Sequence, residues 1–531
     1  MQKKKTYPDF PKRGHVMKNN ESDITLPEEH YRETHSLLKA IDKNKIARWL
    51  LMEGYFPEQN ILPPSFKVDN FVLKNDPYIR NLKDPPRREL GTVSYPKSFL
   101  TYRVFGIQHP HNYHDIVYWL IDDWENIIDH IFLKDNLIYT YSMPIPVNAN
   151  NKGELSPLRS GRLIYEWIEM AERDLVAEAH RFKVLIRTDI TNFYNSVYTH
   201  SIAWALHGRK IAFADKEFKL VGNKIDKLVQ YANDGRTNGI PVGSAVSDLI
   251  AEILLAKIDQ KVSSRLKKKK INFLGTRFKD DYRILSDSEE DTKKILKILS
   301  EELQKFNLLI SESKTKILCL PEGLFRHHNR EYIPFSLRKQ NKITFKEFEF
   351  TLLKTLDIHK KYPGTSIIEK FLSELFNKNY KLKLHFSNNY KARKKEILKT
   401  FSLLFLLKKE SEKILCYIMS IIEAIYAAEN KKYNLKNYLH KIIELEIKNA
   451  SDKKSVFEII WYIFFSRYLG LGVTFSDSID PDLKENLLLK SMTASLQKIF
   501  SDSGITLFRK PKDCCGENLA KQLAVFNRSK E

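Results

Sequence analysis

The chain has 531 residues, with 88 Lys+Arg against 66 Asp+Glu for a formal charge of +22, 42% hydrophobic and 12% aromatic residues, and only 18 Gly and 20 Pro. Such a composition excludes a disordered or fibrous protein, and its length gives enough apolar surface for two or three packed units. The excess of basic residues points to a polyanionic partner, for which nucleic acid is the usual candidate. Four cysteines, Cys319, Cys416, Cys514 and Cys515, are too few and too irregularly spaced for a disulfide framework or a zinc site, so a reducing cytoplasm is expected.

In chain order, residues 1–30 are polar, basic and aperiodic, and read as a mobile arm; no apolar run follows them, so a secretory signal is not expected. A helical period runs from Glu33 to Glu53 and breaks at Tyr55-Phe56-Pro57 and Pro63-Pro64. After the Pro-rich stretch 83–88, residues 99–107 (FLTYRVFGI) are rich in β-formers and carry Arg103. A helix is predicted over 113–132, with Ile116, Trp119, Leu120 and Trp124 on its apolar face, and an amphipathic helix over 162–180.

Residues 182–189 (FKVLIRTD) alternate apolar and polar and end on Asp189, as a half-buried strand presenting a carboxylate would. The Gly/Pro loop 236–247 (RTNGIPVGSAVS) runs into an apolar helix over 248–258. Residues 273–286 read as two strands joined by a turn at Lys279-Asp280-Asp281, and 289–306 as an amphipathic helix capped by Ser288. Beyond about residue 330 strand signals fade, and helical segments are predicted over 366–377, 393–408, 411–429, 433–449, 454–469 and 482–500. Residues 331–531 hold 36 Lys+Arg against 23 Asp+Glu, an excess of 13. The most apolar stretches, 414–428 and 459–475, are interrupted by Glu423 and Arg467, so no membrane span and no membrane partner are expected.

Asp189, Asp280 and Asp281 carry the sharpest chemistry. Adjacent acids repel and each prefers solvation, a conflict that a divalent cation resolves. Mg²⁺ takes hard oxygen ligands, commonly one or two carboxylates plus substrate phosphates, so Asp189 on a neighbouring strand could complete a two-metal site. Read alone, Asp-Asp is an ordinary polar turn.

Taken together, four segments resemble the palm of a reverse transcriptase: Asp189-Ile-Thr-Asn-Phe-Tyr194, Gly239-Ile-Pro-Val-Gly243 with its following helix, Phe278-Lys-Asp-Asp281, and Asn307 to Thr315 with Lys314. Upstream, Arg103-Val-Phe-Gly-Ile-Gln and Arg159-Ser-Gly-Arg162 resemble the fingers segments of such enzymes. The wording is closest to bacterial abortive-infection and defence-associated reverse transcriptases, through Tyr55-Phe56-Pro57, Asn192-Phe193-Tyr194, Gly222-Asn223 with Asp226, and Ala251-Glu252. The resemblance implies an α/β right-hand polymerase with fingers over 31–180, a palm over 181–330, and an all-helical C-terminal domain over 331–531 in place of a thumb. It implies a Mg²⁺-dependent DNA polymerase, Mn²⁺ being the alternative, that takes deoxynucleoside triphosphates and acts in the bacterial cytoplasm. Asp189, Asp280, Asp281 and the Ile190 carbonyl would hold the metals. Tyr194 would be the steric gate against a ribose 2′-hydroxyl or else a core aromatic. Arg103, Arg162, Pro241 and Gly243 would contact the nucleotide, the arginines having structural roles as the alternative. Lys314 would serve the leaving pyrophosphate or be an ordinary solvated lysine.

Two departures stand out. Val242 replaces the glutamine common between Pro and Gly of the second palm motif, and Lys279 puts a cation beside the metal ligands. In this group untemplated, repetitive or protein- or RNA-primed single-stranded DNA is known, and the same is expected here. A retron or group II type enzyme copying a defined RNA is the first rival, and a non-catalytic polymerase-like scaffold the second. Partners implied are an RNA template or non-coding RNA, product DNA, and further copies of the chain joined through the helical domain. Basic runs at 265–270 and 377–395 read either as phosphate-binding surface or as ordinary solvated surface.

Overall fold

The alternation in FKVLIRTD becomes an interior strand of a five-stranded sheet, between two antiparallel neighbours. The structure, a computed structural model, describes residues 24–58, 60–98, 101–156, 166–475, 478–494, 499–514 and 518–526. Its strands are β1 (Phe66–Asp69), β2 (Gly91–Ser98), β3 (Thr101–Ile107), β4 (Ile138–Thr140), β5 (Val184–Asp189), β6 (Phe273–Phe278), β7 (Asp281–Ser286), β8 (Lys316–Cys319), β9 (Ile343–Thr344), β10 (Leu384–His385) and β11 (Thr506–Phe508). The palm sheet has the order β4-β6-β7-β5-β8. β6 and β7 form an antiparallel hairpin, β5 runs antiparallel to both β7 and β8, and β4 lies parallel to β6. In this register Asp189 stands directly opposite Asp281.

Helix Ala245–Lys268 backs the palm. Ser244 caps it by accepting from the Ser247 amide at 3.2 Å, and Val246, Leu249, Ile250, Ile253, Leu254, Ile258 and Val262 are all buried. Apolar residues on several sides fit a helix enclosed by neighbours, here the helices Trp124–Ile131, His200–His207 and Glu289–Gln304. Gly222 lets helix Val221–Ala232 approach helix His200–His207, because a Cβ there would meet the Ala203 Cα at 2.8 Å.

The C-terminal region is built from helices Phe345–Lys361, Ile367–Ser373, Tyr390–Glu410, Leu415–Tyr433, Leu435–Asp452, Val456–Leu469 and Leu487–Ala494. Val456–Leu469 is its buried axis, and the Trp461 indole donates to the Ile61 carbonyl at 3.2 Å. The chain then folds back on the fingers. β11 pairs antiparallel with β1, Arg509 pairs with Asp69, Asp502 receives both Arg88 and His109, and the Asn486 amide donates to the Thr92 carbonyl at 2.9 Å. One hydrophobic core runs continuously from Tyr31 to Phe526.

Several sequence expectations change in detail. The C-terminal region is not all-helical: β9 pairs with β10, and β11 joins β1, because short edge pairings of two to four residues leave almost no periodic signal. Of the strand expected over 99–107, residues 101–107 are the second arm of an antiparallel pair whose first arm, β2, was not expected; its register is irregular between Pro96 and Ser98. The helix expected over 113–132 is two, Pro110–Asp122 and Trp124–Ile131, broken at Asp123. The helix expected over 248–258 extends to Lys268, so the 265–270 run is largely a helix end, and Arg265 is engaged by Glu301 at 2.5 Å and Glu302 at 2.7 Å rather than left for phosphate. Within 377–395, Lys383 is buried on the Leu337 carbonyl and Arg393 is held by Glu429. Residues 1–23, the Arg159-to-Arg162 stretch and Cys515 lie outside the described residues. Among the described residues no helix is long and apolar enough to cross a membrane.

Candidate active site

The β6–β7 hairpin brings the acids together. Its turn is Lys279-Asp280, with Asp281 already the first residue of β7, so only one of the two adjacent carboxylates sits in the turn itself. Lys279 adopts φ 53°, a left-handed conformation usually left to glycine or asparagine. Side-chain and backbone contacts hold it there. Its ammonium reaches Asp248 Oδ2 at 3.2 Å, its amide donates to Ser142 Oγ at 2.7 Å, and its carbonyl accepts from Arg277 at 3.1 Å.

Beneath the turn lies a buried ion cluster. Arg277 is 1% exposed and donates to both oxygens of Glu252, at 2.9 and 3.0 Å, and to Asp259 at 2.7 Å. Thr140 and Ser142 donate to Glu252, and Tyr282 to Asp259. Burial pushes the Asp259 carboxyl up to about 6, with Arg277 working against it. The cluster ties helix Ala245–Lys268 to β4 and to the hairpin that carries the acids.

The edge facing the cleft is anionic and incompletely satisfied. Opposed like charges on paired strands are unfavourable, and burial, reinforced by Asp189, raises the Asp280 carboxyl above its usual range. Asp281 is raised mainly by burial, with Arg283 and Arg187 opposing. Asp189 Oδ1 is buried with no hydrogen-bond partner, while Oδ2 takes the Lys314 ammonium at 2.6 Å. The backbone locks this corner: the Ile190 amide donates to the Asp280 carbonyl at 3.2 Å, and the Ser311 amide to the Asp189 carbonyl at 2.7 Å.

These observations fit a divalent cation. An orphaned carboxylate oxygen and a raised neighbouring carboxyl both gain from one, and Mg²⁺ needs only one or two carboxylates when phosphates complete its shell. Among the described residues no three His, Cys, Asp or Glu side chains converge as a ready-made cage, so the backbone and substrate would supply the remaining ligands. The buried Ile190 side chain has no ligand atom and its amide donates to the Asp280 carbonyl, which leaves only its own carbonyl for that role.

A cavity of about 280 Å³ opens beside the acids and is lined by Asp280, Tyr194, Asp248, Lys279, Val242 and Gly243 from the palm, with Tyr95, Lys97, Arg103 and Phe105 from the β2–β3 hairpin. The Tyr194 hydroxyl donates to Asp248 Oδ1 at 2.5 Å, and burial followed by that carboxylate keeps the phenol protonated. Gly243, at φ 120°, is required by packing, since a Cβ would meet the Phe105 ring at 2.7 Å. The Gly106 amide donates to the Val242 carbonyl at 3.0 Å, which stitches the fingers hairpin to the loop.

Of the residues singled out from the sequence, Asp280, Tyr194, Gly243 and Arg103 line one cavity, Asp189 stands opposite Asp281 on the paired strands beside Asp280, and Lys314 sits on Asp189. Pro241 is buried behind the lining. Asp248 was missed, although an acid in the first turn of the helix after the Gly/Pro loop was a usable signal. Lys97, Arg277 and Asp259 left none, and Glu252 was noted only as part of the resemblance.

Residues 140–353 match the family described as reverse transcriptase (RNA-dependent DNA polymerase). The chain is 25% identical over 174 residues to the retron Ec83 reverse transcriptase of Escherichia coli, covering 32% of this chain and 52% of that protein. It is 28% identical over 154 residues to the retron Se72 reverse transcriptase of Salmonella heidelberg (strain 579083-10), covering 28% of this chain and 38% of that protein. The chain thus spans about half the length, or less, of these relatives. An apo telomerase from Candida tropicalis overlaps 82% of this chain and 70% of its own at 13% identity, with a TM-score of only 0.32. Sheet, acid register and sequence match converge on the same segment: residues 140–353, which match the reverse transcriptase family, carry β5 to β8 of the five-stranded sheet and all three aspartates.

Proposed function

We propose that the chain is a Mg²⁺-dependent DNA polymerase of reverse-transcriptase type that serves bacterial anti-phage defence and makes unusual single-stranded DNA, untemplated, repetitive or primed from protein or RNA. The observation that carries the polymerase reading is the register that sets Asp189 opposite Asp281, next to Asp280, which lines a cavity together with Tyr194 and Arg103. When bound, the metals would lower the pKa of a primer hydroxyl and offset the charge of the leaving pyrophosphate. This chain's own groups do the rest. Asp189 and Asp280 hold the ions, Asp281 keeps the carboxylate field strong, and Lys314 balances Asp189 until the site is loaded. Tyr194, anchored on Asp248, excludes a 2′-hydroxyl, and Arg103 meets the triphosphate. Val242 and Lys279 alter the template and nucleotide surroundings while Asp189, Asp280 and Asp281 are retained, which supports unusual rather than faithful copying.

We take residues 31–180 as fingers, 181–330 as palm and 331–531 as the helical region. RNA and product DNA are the proposed polyanions, and further copies of the chain the proposed protein partner. Exposed Ile333, Phe350 and Leu353 on that region support self-association, and a monomeric mass in solution would argue against it. The retron matches favour a second reading, the copying of one defined RNA. Purified protein with Mg²⁺ and each labelled deoxynucleotide, with and without co-purified RNA, should incorporate label, while an Asp280→Asn, Asp281→Asn variant should not. Equal signal from both, or from neither, defeats the polymerase reading. Products that match one co-purified RNA would select the retron reading.

A further inference from the structure

We propose that Lys413, supplied by the C-terminal helical region, is a phosphate-binding residue of the nucleotide cavity, forming with Lys97 and Arg103 a cradle for the incoming triphosphate. The inference rests on the polymerase reading and adds a residue that no palm or fingers motif contains. Lys413 lies in the short helical turn Glu412–Ile414, which packs against β2, and its side chain lines the cavity that holds Asp280, Tyr194 and Arg103. The cavity is therefore walled by three parts of the chain: the palm, the fingers hairpin and the helical region.

Its charges are not matched among themselves. Lys279 is committed to Asp248, and Asp280 belongs to the metal-binding edge. Lys97, Arg103 and Lys413 are left with Glu58 on the lining and with the half-buried Glu369, which acts electrostatically on Lys413. Burial lowers the Lys413 pKa from its ordinary value, Glu369 restores part of it, and Arg103 and Lys97 lower it further. Cations that crowd a partly buried cleft repel one another, and an anionic ligand removes that cost. A triphosphate suits the space, because phosphates flanked by metal-loaded carboxylates and by basic side chains are charge-matched on both sides. A lysine offers three donors on a compact charge, which serves a terminal phosphate without demanding bidentate geometry. Nucleotide binding then requires the helical region to be docked on the fingers.

The test is binding of inorganic tripolyphosphate to the full chain by calorimetry, with and without Mg²⁺, and without template or primer. Lys413→Ala should weaken it about tenfold, a loss of ~1.4 kcal/mol, and Lys413→Arg should restore most of it. Because Lys413→Ala leaves the half-buried Glu369 without its nearby cation, a Lys413→Ala, Glu369→Gln variant is measured beside it, and its loss should persist with an unchanged melting temperature. Tripolyphosphate binding equal in the parent and both Ala variants, or absent from the parent, overturns the proposal. Readouts separate the two claims. DNA synthesis with unaltered phosphate binding in the variants sinks only Lys413, whereas phosphate binding without any synthesis sinks only the polymerase reading.

Discussion

Tyr194 is a fixed wall because Asp248 holds its hydroxyl and Lys279 in turn holds Asp248. Removing the ring should matter more than loosening it. Tyr194→Ala is expected to lower the preference for deoxy- over ribonucleotides by about 10²-fold, and Asp248→Ala by a smaller factor because the ring remains. Competition assays with paired nucleotides measure both, and unchanged selectivity in Tyr194→Ala would remove the gate role. A second residue makes a pH prediction. Glu423, the acid that interrupts an apolar stretch in the sequence, is buried on helix Leu415–Tyr433 with Oε2 unpartnered, and burial pushes it up to about 7 from 4.5. Between those values the folded chain keeps a proton that the unfolded chain has lost, so stability falls as pH rises from about 4.5 to 7. Glu423→Gln should therefore raise the melting temperature at pH 8, recovering up to about 3 kcal/mol, and change little at pH 4.5. A variant that gains as much at pH 4.5 as at pH 8 contradicts this.

At the scale of elements, the β6–β7 hairpin depends on the ion cluster beneath it. Arg277 joins Glu252 and Asp259 of one helix to the turn through the Lys279 carbonyl, so the strained lysine conformation and the placement of Asp280 share one support. Removing one member of such a cluster leaves buried charge uncompensated. Arg277→Met should destabilise by about 3–5 kcal/mol and abolish synthesis, although Arg277 lines no part of the nucleotide cavity. Arg277→Met, Glu252→Gln, Asp259→Asn should recover part of the stability by removing the stranded charges. Thermal unfolding compares the two, and a single variant as stable as its parent would show the cluster to be dispensable. The same hairpin shows what sequence could and could not convey. Alternation and the Phe-x-Asp-Asp spacing mark the strands and the acids, but the left-handed φ of Lys279 and its Asp248 partner depend on a helix about 30 residues away in sequence.

For the whole molecule, the helical region is less a detached thumb than a clasp. It meets the fingers through β1–β11, Arg509–Asp69, Asp502 with Arg88 and His109, and the Trp461–Ile61 hydrogen bond. Its net excess of 13 positive charges makes it the surface we propose for nucleic acid. Replacing three exposed bases there, for example Lys391, Lys394 and Lys395 by Gln, should weaken single-stranded nucleic-acid binding and reduce the slope of log K against log salt by about 2–3. Mg²⁺-dependent nucleotide binding should persist. An unaltered slope would place the strand elsewhere. Arg393, in the same run, is a poor target because Glu429 already engages it.

The sequence by itself determined where the candidate site lies. A strand pattern ending on Asp189 and a turn at Asp280-Asp281 are local patterns set by periodicity and turn chemistry, whereas Tyr194 and Gly243 were singled out through the resemblance to reverse transcriptase motifs. Tertiary structure alone decided which charges meet. The Asp189–Asp281 opposition is a register, the Arg277–Glu252–Asp259 cluster joins a helix to a strand, and Lys413 reaches the cavity from more than a hundred residues beyond Asp280. Charge pairing and burial depend on distance in space, and no spacing along the chain encodes a distance that only packing fixes.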